Sequence, residues 1–141
     1  MNIWVNGCFD ILHNGHLNLL QSAKHYKHPR HMEKGEVNTL YVGIDSDRRI
    51  KELKGNNRPI NNQEDRKRML KSLRFVDNVF IYDTDEELCS LIEGNKIDLM
   101  IIGEDYKGKK VIGSEKSKYG VEFFPKDVHS TTNIIEKIKR L

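Results

Sequence analysis

Asn6-Gly7-Cys8-Phe9-Asp10-Ile11-Leu12-His13-Asn14-Gly15-His16 follows an apolar strand pattern, Asn2 to Asn6, and leads straight into a helical pattern, Asn14 to Lys24. A glycine-bearing turn between a strand and a helix is the opening of a parallel crossover unit. In such units the carboxyl ends of the strands open onto a crevice, and the helix that follows offers unpaired N–H groups and a positive dipole end to an anion. Phosphate is the natural occupant. His13 and His16, three apart at the helix start, can aim two donors at one phosphoryl group, and Gly15 leaves room for close approach. The residues alone also admit two other readings: histidines that only cap the helix, and zinc held by His13, His16 and Cys8 or Asp10. The strand-to-helix context favours the phosphate cradle.

Outward from this loop, strand-length apolar stretches alternate with helical patterns. Strands are expected at Thr39 to Ile44, Asp77 to Tyr82, Ile97 to Ile102 and Val121 to Phe124. Helices are expected from Ser46 to about Leu53, from Asn62 as N-cap to Leu73, from a Thr84/Glu87 capping box to Gly94, and from Thr131 to Arg140. Leu17, Leu20 and the Lys24 stem share one face of the first helix. The fold class is α/β: a Rossmann-like, doubly wound domain with a mostly parallel five-stranded sheet. Residues 1–141 read as one domain, since no repeat, low-complexity tract or long linker divides them. The segment from His25 to Asn38, with histidines at 25, 28 and 31, reads as a surface loop rather than a metal site.

Apolar residues make up 37% and charged residues 32% of the 141, a soluble balance. Neither a signal peptide nor a membrane-length apolar run is visible, so the expected location is cytoplasmic. Cys8 and Cys89 lie too far apart for a Cys-x-x-Cys motif and are expected as reduced thiols. Net charge is only +3, but it is blocked: residues 48–74 hold ten Lys or Arg against three acids, and residues 77–105 nine acids against one Lys. Without interleaved aromatics, the basic block points to a small anionic ligand rather than to nucleic acid. Lys51 and Lys54, one turn apart beyond the second strand, fall on the histidines' side of the sheet. Arg49, Lys67 and Lys71 read as a solvated face. Gly103-Glu104-Asp105-Tyr106-Lys107-Gly108-Lys109-Lys110 nearly spells a P-loop, but Lys110 stands where a Ser or Thr would bind magnesium, and no clear helix starts there. Lys107, Lys109 and Lys110 read instead as a flap.

The loop resembles the Gly-x-Phe-Asp-x-x-His-x-Gly-His signature of the cytidylyltransferase-like nucleotidyltransferase superfamily. Over nearly its whole length the chain is most similar to the adenylyltransferase domain of bacterial ADP-heptose synthesis enzymes. The likeness runs through Asp45-Ser46-Asp47, Leu53-Lys54-Gly55, Arg58-Pro59, Gly103-Glu104-Asp105-Tyr106-Lys107 and Ser130-Thr131-Thr132-Asn133-Ile134-Ile135. Glycerol-3-phosphate cytidylyltransferase is a more distant likeness. His129 stands ahead of Ser130 where cytidylyltransferases tend to carry an Arg-Thr-x-Gly-Ile lead-in, which disfavours the cytidylyl branch.

The resemblance implies transfer of NMP from ATP to a heptose 1-phosphate with release of pyrophosphate; CTP with glycerol 3-phosphate is the alternative, and a non-catalytic nucleotide-binding module the rival of another class. It implies His13, His16, Lys51 and Lys54 as catalytic residues. Nucleotide contacts fall to Gly7, Cys8, Phe9, Asp10 and Gly15 in the first loop and to Gly103, Asp105 and Tyr106 after the fourth strand. Ser130, Thr131 and Thr132 would take the β- and γ-phosphates. Asp10, Lys51, Arg58 and Arg66 would serve the second substrate. Magnesium is expected to enter with the triphosphate, with no protein metal site. A homodimer and a separate sugar kinase of the same pathway are the expected partners, with neither nucleic acid nor membrane.

Overall fold

The computed structural model describes residues 1–30 and 37–141. Part of the loop from 25 to 38, including His31, lies outside them. Five strands, β1 (Asn2–Gly7), β2 (Thr39–Asp45), β3 (Asn78–Tyr82), β4 (Leu99–Gly103) and β5 (Val121–Phe124), form one sheet in the order β3-β2-β1-β4-β5. Every pairing is parallel. The chain winds outward from β1 through β2 to β3, then crosses back to place β4 on the other side of β1. That reversal puts the switch point, where ligands bind in open α/β sheets, at the carboxyl ends of β1 and β4.

Among the described residues there are five α-helices, α1 (Asn14–Lys24), α2 (Asp47–Lys54), α3 (Gln63–Lys71), α4 (Asp85–Gly94) and α5 (Thr131–Lys139), of which α1, α3 and α4 pack on the sheet. Ile3 and Val5 of β1 and Leu99 and Ile101 of β4 pack with Leu20 and Ala23 of α1 and Leu70 of α3. The alternate residues Trp4, Met100 and Ile102 pack with Leu88 and Ile92 of α4 on the opposite face. Both faces are therefore dry, which is why the central strands read as unbroken apolar runs rather than as alternating ones. Gly43 completes the second face: a Cβ there would collide with the Trp4 indole, so glycine is what lets the largest core side chain lie flat on β2. Among the described residues no helix is long and apolar enough to cross a membrane.

Helix α4 ends at Gly94 as expected, with Asn95 as its cap and Lys96 in a left-handed turn at φ +52°. Two local expectations are corrected. Thr84 does cap α4 by accepting the Glu87 N–H, but the Glu87 carboxylate accepts the N–H of Asp83, not that of Thr84, so the reciprocal half of the box is displaced by one residue. Ile97 and Asp98 precede β4 as a turn in which the Asp98 carboxylate receives the Asn2 N–H.

Candidate active site

The first loop is organised by Asp10. Its side chain is nearly fully buried and accepts the N–H of Ile60 and Asn61 and the Nε–H of Arg58, at 2.8–3.0 Å. Burial pushes this carboxyl up, but the two backbone N–H groups and the guanidinium more than offset it, so Asp10 ionises below the usual range. Asp10 thus clamps segment 58–61 against the loop, and its oxygens are spent on the protein rather than on a ligand. Phe9 adopts φ +49°, which swings the chain from β1 toward the helix and lays the Phe9 ring on His16, centroids 4.9 Å apart.

His13 and His16 do cap α1, and the way they do so decides their chemistry. Nδ1 of His13 accepts the Gly15 N–H, and Nδ1 of His16 accepts the His13 N–H, a reciprocal box built from two imidazoles. Each accepting Nδ1 must carry a lone pair, so the proton of each neutral ring sits on Nε2. The rings stack with centroids 3.8 Å apart, and both line one cavity of about 370 Å³. Capping and phosphate binding are therefore compatible: the cap takes one nitrogen and presents the other as a donor. A zinc site with Cys8 or Asp10 does not fit, since Asp10 is engaged elsewhere and no group of three or more potential ligands converges among the described residues.

Burial, then His13, then Lys54 lower the His16 imidazole to about 4. In the unfolded chain it titrates near 6.5. Protonation between those values favours the unfolded chain, so this contribution to stability is complete above pH 6.5 and is lost as pH falls toward 4, by about 3 kcal/mol at most. A histidine NMR titration should find the His16 ring neutral at pH 5, with urea stability declining over the same window. A ring titrating near 6.5 would show that the box does not hold it.

Around the pair the same cavity collects Cys8, Phe9, Asp10, Gly15, Lys54 and Arg58 on one side, Gly103, Asp105 and Tyr106 beyond β4, and Ser130, Thr131 and Thr132 at the start of α5. Ser130 caps α5 by accepting the Asn133 N–H. The Thr131 hydroxyl donates to the Ile11 carbonyl, tying the first loop to the head of α5. What α5 offers an anion is thus its first-turn N–H groups rather than the Thr131 hydroxyl.

A second cavity, of about 480 Å³, meets the first at Cys8, Lys54 and Tyr106. Its walls include Gly7, Asn6, Tyr82, Asp45, Arg49 and Lys110. Asn6 donates to the Tyr82 hydroxyl, and Arg49 pairs with Asp45 and Asp85 at 2.9 and 2.7 Å. Burial, and then Asp45, push the Tyr82 hydroxyl well above its ordinary value, so it stays a neutral donor.

Two expected site residues fall elsewhere. Lys51 is exposed and lines neither cavity; one helical turn separates it from Lys54, which at the end of α2 hangs over the junction. Arg66 is 1% exposed and donates to the carbonyls of Asn61, Cys8 and Asp45 and to the Asp47 carboxylate. It braces the site from beneath, out of a ligand's reach. The P-loop likeness fails structurally: β4 is followed by two short 3₁₀ turns, Glu104–Tyr106 and Ser114–Lys116, and no α-helix starts at Lys110.

Residues to which the sequence assigned no role in the site also line the first cavity: Glu104, Lys126, Asp127 and His129. Glu104 accepts the Lys126 N–H, which ties the turn after β4 to the chain after β5. An Asp two residues before a His, directly ahead of an expected anion-binding helix, was the available signal.

A family model described as cytidylyltransferase-like matches residues 4–137. The chain is 50% identical over 139 residues to the bifunctional protein HldE of Campylobacter fetus subsp. fetus (strain 82-40), an alignment covering 97% of this chain and 28% of that protein. It is 44% identical over 140 residues to the bifunctional protein HldE of Helicobacter pylori (strain HPAG1), covering 98% and 27%. The chain thus spans little more than a quarter of the length of these curated relatives. The lipopolysaccharide core biosynthesis protein from Thermoplasma volcanium GSS1 shares the fold, with a TM-score of 0.64 over 92% of this chain and 98% of that one at 20% identity.

Proposed function

The chain belongs to the cytidylyltransferase-like family, and from that premise we propose that it transfers a nucleoside monophosphate from a nucleoside triphosphate to a phosphorylated small molecule, releasing pyrophosphate. The observation that carries this reading is the His13–His16 pair. Two neutral imidazoles, each with Nδ1 committed to a backbone N–H, present two fixed Nε2–H donors to one cavity. Donors already in place where charge develops cost no reorganisation in the transition state.

An acceptor phosphate oxygen entering from the second cavity attacks the α-phosphorus at the junction, in line with the departing pyrophosphate. His13, His16 and Lys54 neutralise the charge growing on the equatorial oxygens. The leaving group moves toward the N-terminal N–H groups of α5. Magnesium would arrive on the triphosphate, a mode needing one or two carboxylates at most, and among the cavity's exposed carboxylates Asp105, loosely paired with Lys126 at 3.9 Å, would be available to it.

ATP with a heptose 1-phosphate is the favoured pair. The likeness to ADP-heptose adenylyltransferase domains supports it, and the second cavity, which mixes the polar groups of Asn6, Asp45, Arg49 and Tyr82 with aliphatic side chains, has hydrogen-bonding groups to offer a polyhydroxy acceptor. A sugar kinase would then supply the phosphorylated acceptor. The test is pyrophosphate release with magnesium, crossing ATP and CTP against heptose 1-phosphate and glycerol 3-phosphate. Release with ATP and the heptose is expected. Release only with CTP would move the chain to cytidylyl transfer, and tight ATP binding with no release for any acceptor would make it a binding module.

A further inference from the structure

Two imidazoles in this site are fixed as neutral donors; a third is held in another way. His129 lines the same cavity as His13, and its ring is stacked alongside the His13 ring, centroids 6.4 Å apart and 24° from parallel. The row runs His16, His13, His129. Nδ1 of His129 faces not a backbone N–H but Asp127 Oδ1, at 2.6 Å. A carboxylate can only accept, so here Nδ1 carries the proton. Asp127 is itself fixed: Oδ1 also accepts the His129 N–H at 2.9 Å, and Oδ2 accepts the Asn18 amide of α1 at 3.0 Å. These contacts, the His129 N–H first, then Asn18 and the His129 ring, hold the Asp127 carboxyl well below the usual range.

An Nδ1–H backed by a carboxylate leaves Nε2 with a choice. It is a lone pair in the neutral ring and an N–H donor in the cation. Asp127 on its own loop and His13 from the start of α1 touch the His129 ring; Lys54, Arg58, Glu104, Asp105 and Lys126 share the first cavity with it, and Lys137 and Arg140 of α5 line a shallower cavity on which it also opens. Position narrows the role further. The acceptor cavity meets the first cavity at Cys8, Lys54 and Tyr106, whereas His129 adjoins Ser130 at the head of α5, where the leaving phosphates end.

We propose that His129 is a further catalytic residue of this site: held by Asp127, it donates Nε2–H as an imidazolium to the departing pyrophosphate. The proposal rests on the nucleotidyl-transfer reading above. The bond between the α-phosphorus and the bridging oxygen breaks with its electron pair left on that oxygen. The imidazolium balances part of that charge through a hydrogen bond, and no proton need leave the ring. Asp127 acts as a positioning residue, through His129.

Two measurements test it. In a histidine NMR titration, adding inorganic pyrophosphate should raise the pKa of His129 by a unit or more while His13 and His16 keep their Nε2–H tautomers. In turnover, His129→Ala should lower kcat about 10- to 100-fold. The alkaline limb of the kcat/KM profile should vanish in His129→Gln, which cannot titrate, and should move to lower pH in Asp127→Asn. A wild-type enzyme that turns over while pyrophosphate leaves His129 unmoved, or a His129→Gln profile with the same alkaline limb, overturns the inference and leaves the transfer reading standing. A His129 shift without turnover on any substrate would instead keep the anion contact and sink the transfer reading.

Discussion

His16→Ala should lower kcat/KM for pyrophosphate release by about 10²–10³-fold or more, the scale of losing one fixed donor to transition-state charge. The fold should survive, because the variant loses one cap acceptor, worth about 1 kcal/mol, together with some packing against Phe9. Two further substitutions separate the two functions of this ring. Asn places an acceptor near the position of Nδ1 and nothing at Nε2, so His16→Asn should keep most of the stability and stay inactive. Gln reaches the Nε2 position with an N–H, so His16→Gln should recover part of the rate while losing the cap. Near-normal turnover in His16→Ala would remove the pair from the mechanism, and activity that simply followed stability across the three variants would reduce the box to a helix cap.

Arg66→Met should be the most damaging substitution for the fold among the residues first read as ligand contacts. Its guanidinium spans three segments, joining Cys8 after β1, Asp45 at the end of β2 and Asn61 in the clamp loop, with Asp47 as its counter-charge. Methionine fills most of the volume but leaves buried carbonyls without donors, and breaking such a buried set costs about 3–5 kcal/mol. Urea denaturation reads this loss directly, and activity should fall with it because the first loop loses its brace. Arg66→Lys should recover little, since one ammonium cannot serve four acceptors in a planar fan. A variant of unchanged stability with a raised KM for the acceptor would restore Arg66 to substrate binding.

The contrast between Lys51, Lys54, Arg58 and Arg66 shows where pattern reading reaches its limit. All four sit in one basic block, and each is a cation of similar reach. In the structure Lys54 overhangs the cavity junction, Arg58 is pinned to Asp10, Arg66 is buried and Lys51 faces solvent. Position on the sheet and the family resemblance placed all four at the site; their partners set them apart.

The sequence by itself determined the parallel α/β architecture, the strand-to-helix turn at Gly7 to His16 and the caps at Asn62 and Thr84. Each of these depends on residues within about one helical turn or one strand, where periodicity and capping act. Tertiary structure alone decided what the caps are for. The Asp10 clamp joins residues 48 to 51 positions apart, and the Arg66 brace joins residues up to 58 apart. The row of three imidazoles forms only because α1 and the head of α5 meet at the sheet's switch point. A ring nitrogen becomes a donor or an acceptor according to what its other nitrogen touches, and here that is set by backbone and carboxylate geometry that only the folded chain possesses.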